Sequence, residues 1–371
     1  MPVSPALAED LAAAVADLYE AAEGALLAKL RSALAEGIDS PAWVDLKLAA
    51  VGNLQAAVDE VLAALQTDAS GAIHQALAEA YDRGQQAAVA ELGALGVGQT
   101  VAAAVALPTA PIVDRLAAAV IADTGPVYVR ILRTTMDTYR DVIVRASAAP
   151  TLGVQTRRQA AQAALDDFAD RGVRGFVDSR GRSWELRSYV EMATRSAVGR
   201  AAIQAHSDRL GAAGVDLVIV SQSPEECPLC RSWERKILTR EGPAGARDIE
   251  LEHATEDGEM VTVHVAGSLD EARGAGLLHP NCRHNISAYL PGVSRVPAPH
   301  PPRGTYKDSQ KQRYLERQVR RWKRREQTAL SEQEVKAARV RARAYQARIR
   351  ELTAVTGLPR KSHREQLTTA R

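Results

Sequence analysis

Only three cysteines occur in these 371 residues, and all lie in two short stretches that also hold histidines. CPLC occupies 227–230, HPNCRH occupies 279–284, and 48 residues separate Cys230 from His279. This pairing constrains the fold strongly. A Zn²⁺ ion takes four N or S ligands in a tetrahedron, and two short turns can supply two each. Cys227 and Cys230 form the first pair, and His279 and Cys282 form the second with the same spacing. Pro228 and Pro280 follow the first residue of each pair and restrict the turn there. His284 is an alternative fourth ligand, or a group that orients the ligands from behind.

Four protein ligands close the coordination shell and leave no place for an activated water, so the expected zinc is structural. It would tie two turns together across a subdomain with little core of its own. Glu225 and Glu226 adjoin Cys227, but the His-x-Glu arrangement of zinc deaminases is missing. Two other readings compete. The cysteines could be small buried hydrophobes, or a thioredoxin-like redox pair, although no βαβ pattern surrounds Cys227. Three cysteines cannot build a disulfide framework, and the CxxC spacing suits metal or redox chemistry in a reducing compartment.

The rest of the chain is expected to be mainly α, with an elongated helical N-terminal domain, a small α+β zinc-knuckle subdomain and a long C-terminal basic helix. Ala dominates the first half and aromatics make up only 4% of the residues, which favours helices over sheets. Leu7, Leu11, Val15, Leu18, Leu26, Leu30 and Leu34 recur at helical spacing over 6–36. Further helices are expected at 44–65, 69–95 (with Gly84 inside), 112–122 and 127–146. The uncharged stretch 92–113 is interrupted by Gly, Gln, Thr and two prolines, so no membrane span is expected. The N-terminus lacks a basic leader, so no secretory signal is expected either. Residues 171–184 read as a turn or short hairpin around 178–181 within a helical connector. VDLVIVSQ (215–222) and EMVTVHVAG (259–267) read as strands. The expected divisions are a helical domain at 1–150, a connector at 151–210, the zinc-knuckle core at 211–292, a Pro-rich linker at 293–304 and a basic tail at 305–371.

Net charge is only +2, but it is unevenly distributed. Residues 303–371 hold 20 Lys/Arg against 7 Asp/Glu, a net of +13, which leaves −11 on the remainder. In the tail, Arg313, Arg317, Arg320 and Arg324 fall on one helical stripe, joined by Arg321, Lys323, Arg325, Arg339 and Arg343. Arg suits bidentate phosphate or carboxylate contacts. Phosphate binding without sequence readout is one expectation for these nine residues. An acidic protein surface, including the chain's own acidic body, is another. Leu315, Val319 and Trp322 form an apolar stripe that needs a partner surface.

Three segments in order resemble a known family: FVDSRGRSWELRSYVEMATRSAVGRA, then GVDLVIVSQSPEECPLCRSWERKIL, then GLLHPNCRHNISAYLPG. They resemble the phage minor capsid protein 2 family, related to the Mu F-like head morphogenesis proteins, over about 170–325. The matching motif residues are Cys227, Cys230, Trp233, His279, Pro280, Asn281, Cys282, Arg283 and His284. One departure is Arg235, which stands where the family commonly turns through a glycine. The resemblance implies a virion protein of a tailed phage in few copies, inside the head near the portal and in the host cytoplasm during assembly. Implied partners are the portal protein, major capsid or scaffold proteins and packaged double-stranded DNA, in assembly, packaging or ejection. No enzymatic activity, membrane or small-molecule substrate is implied. Asp178, Arg182, Trp184, Tyr189 and Glu191 read as a structural turn and helix rather than a site. The alternative function is a zinc-stabilised HNH-like nuclease, loosely evoked by HPNCRHN. A cellular zinc adaptor unrelated to phages is a third possibility.

Overall fold

The computed structural model describes residues 5–96, 110–151, 153, 155–172, 174–177, 183–223, 227–280, 282–301 and 303–367. The chain is mainly helical with small antiparallel sheets. The long helices are α1 (Pro5–Ala35), α3 (Val51–Ala94), α4 (Ala110–Thr151) and α6 (Leu186–Ala212), with shorter α2 (Trp43–Ala49) and α5 (Arg157–Arg171). The helices expected at 69–95 and at the end of 44–65 are one continuous α3, and those at 112–122 and 127–146 are one continuous α4. Among the described residues no single helix is long and apolar enough to cross a membrane.

Two compact units are interleaved along the sequence. Unit 1 comprises 1–12, 72–120 and 192–306; unit 2 comprises 13–71, 121–191 and 307–371. Helical periodicity reveals where a helix runs but not which of its turns share a core, so α1, α3, α4 and α6 contribute to both units.

Unit 1 holds five strands among its described residues, of which two, Leu217–Val220 and Met260–Val265, fall in the two β-branched runs read as strands; the other three lie outside any expected strand. β3 (Leu217–Val220) is fully buried and central in the order β4-β3-β7, flanked by β4 (Ile237–Thr239) and β7 (Ile286–Ala288). β5 (Arg247–Glu252) and β6 (Met260–Val265) form a separate hairpin, with α7 (Leu269–Gly274) following it. Val218, Val220, Leu238, Ile286 and Leu269 share a core with Leu92 of α3 and Leu210 of α6. Gly84 lets α3 and α6 meet closely. A Cβ there would stand 2.2 Å from the Ala202 carbonyl oxygen and 2.9 Å from the Ala205 Cβ. Gly84→Ala should therefore destabilise the protein by about 1–3 kcal/mol, read as a lower urea midpoint at constant slope. An unchanged midpoint would mean that α3 and α6 do not pack this tightly.

Unit 2 is a helical core in which Tyr19, Leu30, Trp43, Tyr139 and Leu165 are buried. Trp43 donates its indole N–H to the Leu34 carbonyl at 3.1 Å, and the Tyr139 hydroxyl donates to the Lys47 carbonyl at 3.1 Å. β1 (Arg174–Val177) pairs with β2 (Ser183–Glu185), as expected of a hairpin, although 178–182 lie outside the described residues.

The expected single basic helix is instead a helical hairpin: α8 (Tyr306–Thr328) and α9 (Glu332–Thr356). Ser331 caps α9 by accepting from the Glu334 backbone N–H at 3.3 Å. The Ser-x-x-Glu signature at 331–334 marks that start in the sequence. The apolar stripe finds its partner here, because Leu315 and Val319 pack against Ile349, Leu352 and Tyr345.

Candidate metal centre

The two Cys/His stretches fold into matching turns. Cys230 N–H donates to the Cys227 carbonyl at 3.2 Å, and Cys282 N–H donates to the His279 carbonyl at 2.8 Å. Pro228 and Pro280 therefore occupy the second position of each turn, where their fixed φ is favourable. The first turn runs into a short 3₁₀ segment, Arg231–Trp233. Leu278, just before His279, has φ 59°, a left-handed conformation uncommon for a branched side chain. Arg235 has φ 62°. This position thus keeps a glycine-like backbone, with the arginine donating from Nε to the Pro297 carbonyl at 2.9 Å.

These turns bring the sequence-predicted ligands together. The Cys227 Sγ lies 3.0 Å from the His279 Nε2, and the Cys230 Sγ lies 3.5 Å from the Cys282 Sγ. The donor atoms fall into two triads that share Cys230: Cys227, Cys230 and His279, and Cys230, Cys282 and His284, each within 4.8 Å. Two sulfurs on one zinc ion stand roughly 3.8 Å apart at Zn–S bonds of about 2.3 Å. These groups could hold a metal ion. Cys230 is 0% exposed and belongs to the apolar core of unit 1, so the turn carrying it is anchored by packing.

The two histidines differ in their second nitrogen. The His279 Nδ1 lies 2.6 Å from the Pro280 carbonyl oxygen, which leaves Nε2 facing Cys227. The His284 Nε2 lies 2.7 Å from the Glu234 carboxylate, and its Nδ1 lies 3.3 Å from the Cys282 Sγ. A carbonyl or carboxylate behind the ring is the usual orienting partner of a ligating histidine. The hydrogen bond from Cys230 draws the Cys282 thiol down to about 4; burial opposes this and His284 reinforces it. The Cys230 thiol is raised by the same bond and by burial. Burial lowers the His284 imidazole, but Cys282 and Glu234 outweigh it and raise its pKa. A thiolate is the form in which cysteine ligates metal. Glu234 was not anticipated; its signal was its place four residues after Cys230, on the turn that follows the 3₁₀ segment. Glu225, Glu226 and Asn281 lie outside the described residues.

Several of the nine basic tail residues pair with acids of their own chain. Arg320 and Arg324, 4% and 3% exposed, both grip Glu185, at 2.9 and 2.5 Å. Arg325 and Arg321 both hold Asp170; the Arg325 Nε bond is 2.6 Å and the Arg321 Nε bond is 2.7 Å. Burial lowers the pKa of Lys323. Arg339 pairs with Glu326 at 2.6 Å but stays exposed, as do Arg343 and Arg317, while Arg313 is half-buried. Five of the nine therefore neutralise acids of their own chain, and a phosphate would have to displace buried carboxylates to reach Arg320 or Arg324. Of the segment around 178–191, Glu191 pairs with Arg364 at 2.5 Å and Tyr189 is buried, whereas Asp178, Arg182 and the Trp184 side chain lie outside the described residues.

Comparison with known proteins places this geometry in context. The profile of the family described as phage minor capsid protein 2 matches residues 3–354. A protein of Lactococcus phage LL-H described as a structural protein is 27% identical over 226 residues, which is 58% of this chain and 57% of that relative. The match thus spans a little over half of the relative's length. No solved structure matches the chain.

Proposed function

The chain belongs to the phage minor capsid protein 2 family, and from that premise we propose that it is a non-enzymatic structural protein of a tailed-phage head. It would be incorporated in the virion near the portal, where head assembly and genome packaging or ejection take place. The observation that carries the structural role is the family match over 3–354.

Cys227, Cys230, Cys282 and His279, through its Nε2, would hold one Zn²⁺ ion, with His284 and Glu234 orienting Cys282 from behind. Three sulfurs and an imidazole are a donor set that suits zinc. When bound, the ion adds cross-linking rigidity rather than reactivity, since no position is left for water. The chain's own residues do the rest. The prolines preset the turns, the unit 1 core anchors Cys230, and Glu234 fixes the His284 ring. A nuclease would need a solvent-facing His general base, whereas the His284 imidazole is buried against Glu234. DNA contact, if made by this chain, falls to the exposed arginines of α9, Arg341, Arg343, Arg348 and Arg350, with Arg339 and Arg317. Such contacts would be phosphate-directed and salt-dependent.

The test combines mass spectrometry of purified virions with metal analysis of the purified chain. Expected are peptides of this chain in mature particles, about one zinc per chain, and no Mg²⁺-dependent nicking of plasmid DNA. Absence from particles would end the capsid assignment. Nicking that His284→Ala abolishes would restore the nuclease alternative.

A further inference from the structure

Unit 1 contains a cavity of about 440 Å³ walled by the start of α1, the middle of α6, α7 and the second Cys/His turn. Its charge is one-sided: Arg195, Arg200, Arg273 and Arg283 face a single carboxylate, Glu9. Glu9 answers Arg283 at 3.0 Å, and Arg273 reaches Asp270 at 3.5 Å. Arg200 is exposed and makes no ion pair among the described residues. The rest of the lining is aliphatic or polar, without a Phe, Tyr or Trp. Single-stranded bases bind by stacking on open aromatic faces, chiefly Phe, Tyr and Trp, which this wall lacks; its His279 and His284 imidazoles are already engaged with Cys227 and the Pro280 carbonyl, and with Cys282 and Glu234. A duplex presents its phosphates on a convex surface that cannot enter a recess of this size. An anionic protein segment fits better, because guanidinium forks pair bidentately with carboxylates.

The same chain carries such a segment. In the β5–β6 hairpin, Asp248, Glu250 and Glu252 are exposed, while Ile249 and Leu251 are half-buried. The connection adds Glu256, Asp257 and Glu259, all exposed, and no Lys or Arg occurs between 248 and 264. Glu256, Glu259 and His253 bring their polar atoms within 4.8 Å of one another. Neither glutamate meets a Lys or Arg among the described residues. Such a crowded pair of like charges gains from an external cation.

We propose that the acidic β5–β6 hairpin tip of one copy docks into the arginine-lined cavity of a second copy. Hairpin and cavity are different patches, so the contact is heterologous and propagates into a ring or a chain of copies. This goes beyond the capsid assignment and does not need the zinc, except that the second Cys/His turn forms part of the wall.

The test is sedimentation of the full-length protein at low and high salt. Wild type should self-associate at about 50 mM salt and dissociate toward monomer at about 500 mM, as screened charge pairs do. Arg200→Glu should weaken association about tenfold, and so should the double variant Glu256→Lys with Glu259→Lys. Mixing the two variants should restore pairwise association, because the unchanged acidic hairpin of Arg200→Glu then meets the unchanged arginine-lined cavity of the double variant. That rescue shows that both variants are folded. Two results would overturn the proposal: a wild type that stays monomeric at low salt, or association that neither variant weakens. Loss of duplex DNA binding in Arg200→Glu with association intact would mark the cavity as a phosphate site instead. Zinc content is measured on every sample. A metal-free wild type that still associates would end the zinc assignment and leave the docking contact standing.

Discussion

Cys230→Ser is expected to remove the metal and to unfold the small α+β part of unit 1 in the same step. Cys230 is the one donor common to both triads, so no rearrangement of the other four replaces it. It is also 0% exposed in the core that contains Val218, Leu238 and Ile286. The serine hydroxyl is a poor zinc ligand and adds a polar atom to an apolar site. Structural zinc contributes on the order of 10 kcal/mol to small domains that fold around it, several times what a buried apolar contact contributes. Metal analysis should fall from about one zinc per chain to none, with protease cleavage appearing first within 211–292. The helical circular dichroism signal should largely persist, because most helical residues lie outside that segment. His279→Ala should weaken retention more than His284→Ala, whose ring sits against Glu234. Full zinc content in Cys230→Ser would refute the assignment.

Glu185→Gln should release the C-terminal hairpin of unit 2. One carboxylate serves both Arg320 and Arg324, and its loss leaves two buried guanidiniums with Glu23 at 3.9 Å and the Ala169 and Arg364 carbonyls as their remaining partners. Breaking a buried pair in this way costs about 3–5 kcal/mol. Asp170→Asn should cost much less, because Asp170 and its partners Arg321 and Arg325 are partly exposed. Acid should act like the substitution. Burial pushes the Glu185 carboxyl up, but Arg320 and Arg324 outweigh it and hold it well below the usual carboxylate range. A depressed folded-state pKa contributes stability that is present above the unfolded value, about 4.3, and is lost as pH falls below it. Urea midpoints measured from neutral pH down to about pH 3 should drop steeply for wild type and less for Glu185→Gln. A variant within about 0.5 kcal/mol of wild type at neutral pH would mean that Glu185 does not anchor the hairpin. Leucine or methionine at 320 and 324 in the Glu185→Gln background should recover part of the loss, since a well-packed apolar replacement of a buried ion pair is often tolerated.

How much was legible beforehand depends on the range of each interaction. The Cys/His turns were readable because a two-residue spacing with proline after the first ligand is a local geometry. β3 was readable because four consecutive buried apolar residues leave few other options. Helix extents were readable from periodicity, but the continuity of α3 and α4 was not, since Gly and polar interruptions weaken a pattern without ending a packed helix. The α8–α9 break was encoded at Ser331 and Glu334, yet the run of charges around it obscured the cap.

The sequence by itself determined the helical bias, the buried central strand, the two matched ligand turns and the imbalance between an acidic body and a basic tail. Tertiary structure alone decided that Arg320 and Arg324 meet Glu185, 135 and 139 positions away, and that Glu234 backs His284 from 50 positions away. The physical reason is that a turn or a helix is specified by neighbours along the chain, whereas a charge is satisfied by whichever opposite charge the fold brings within about 4 Å, which no local pattern records.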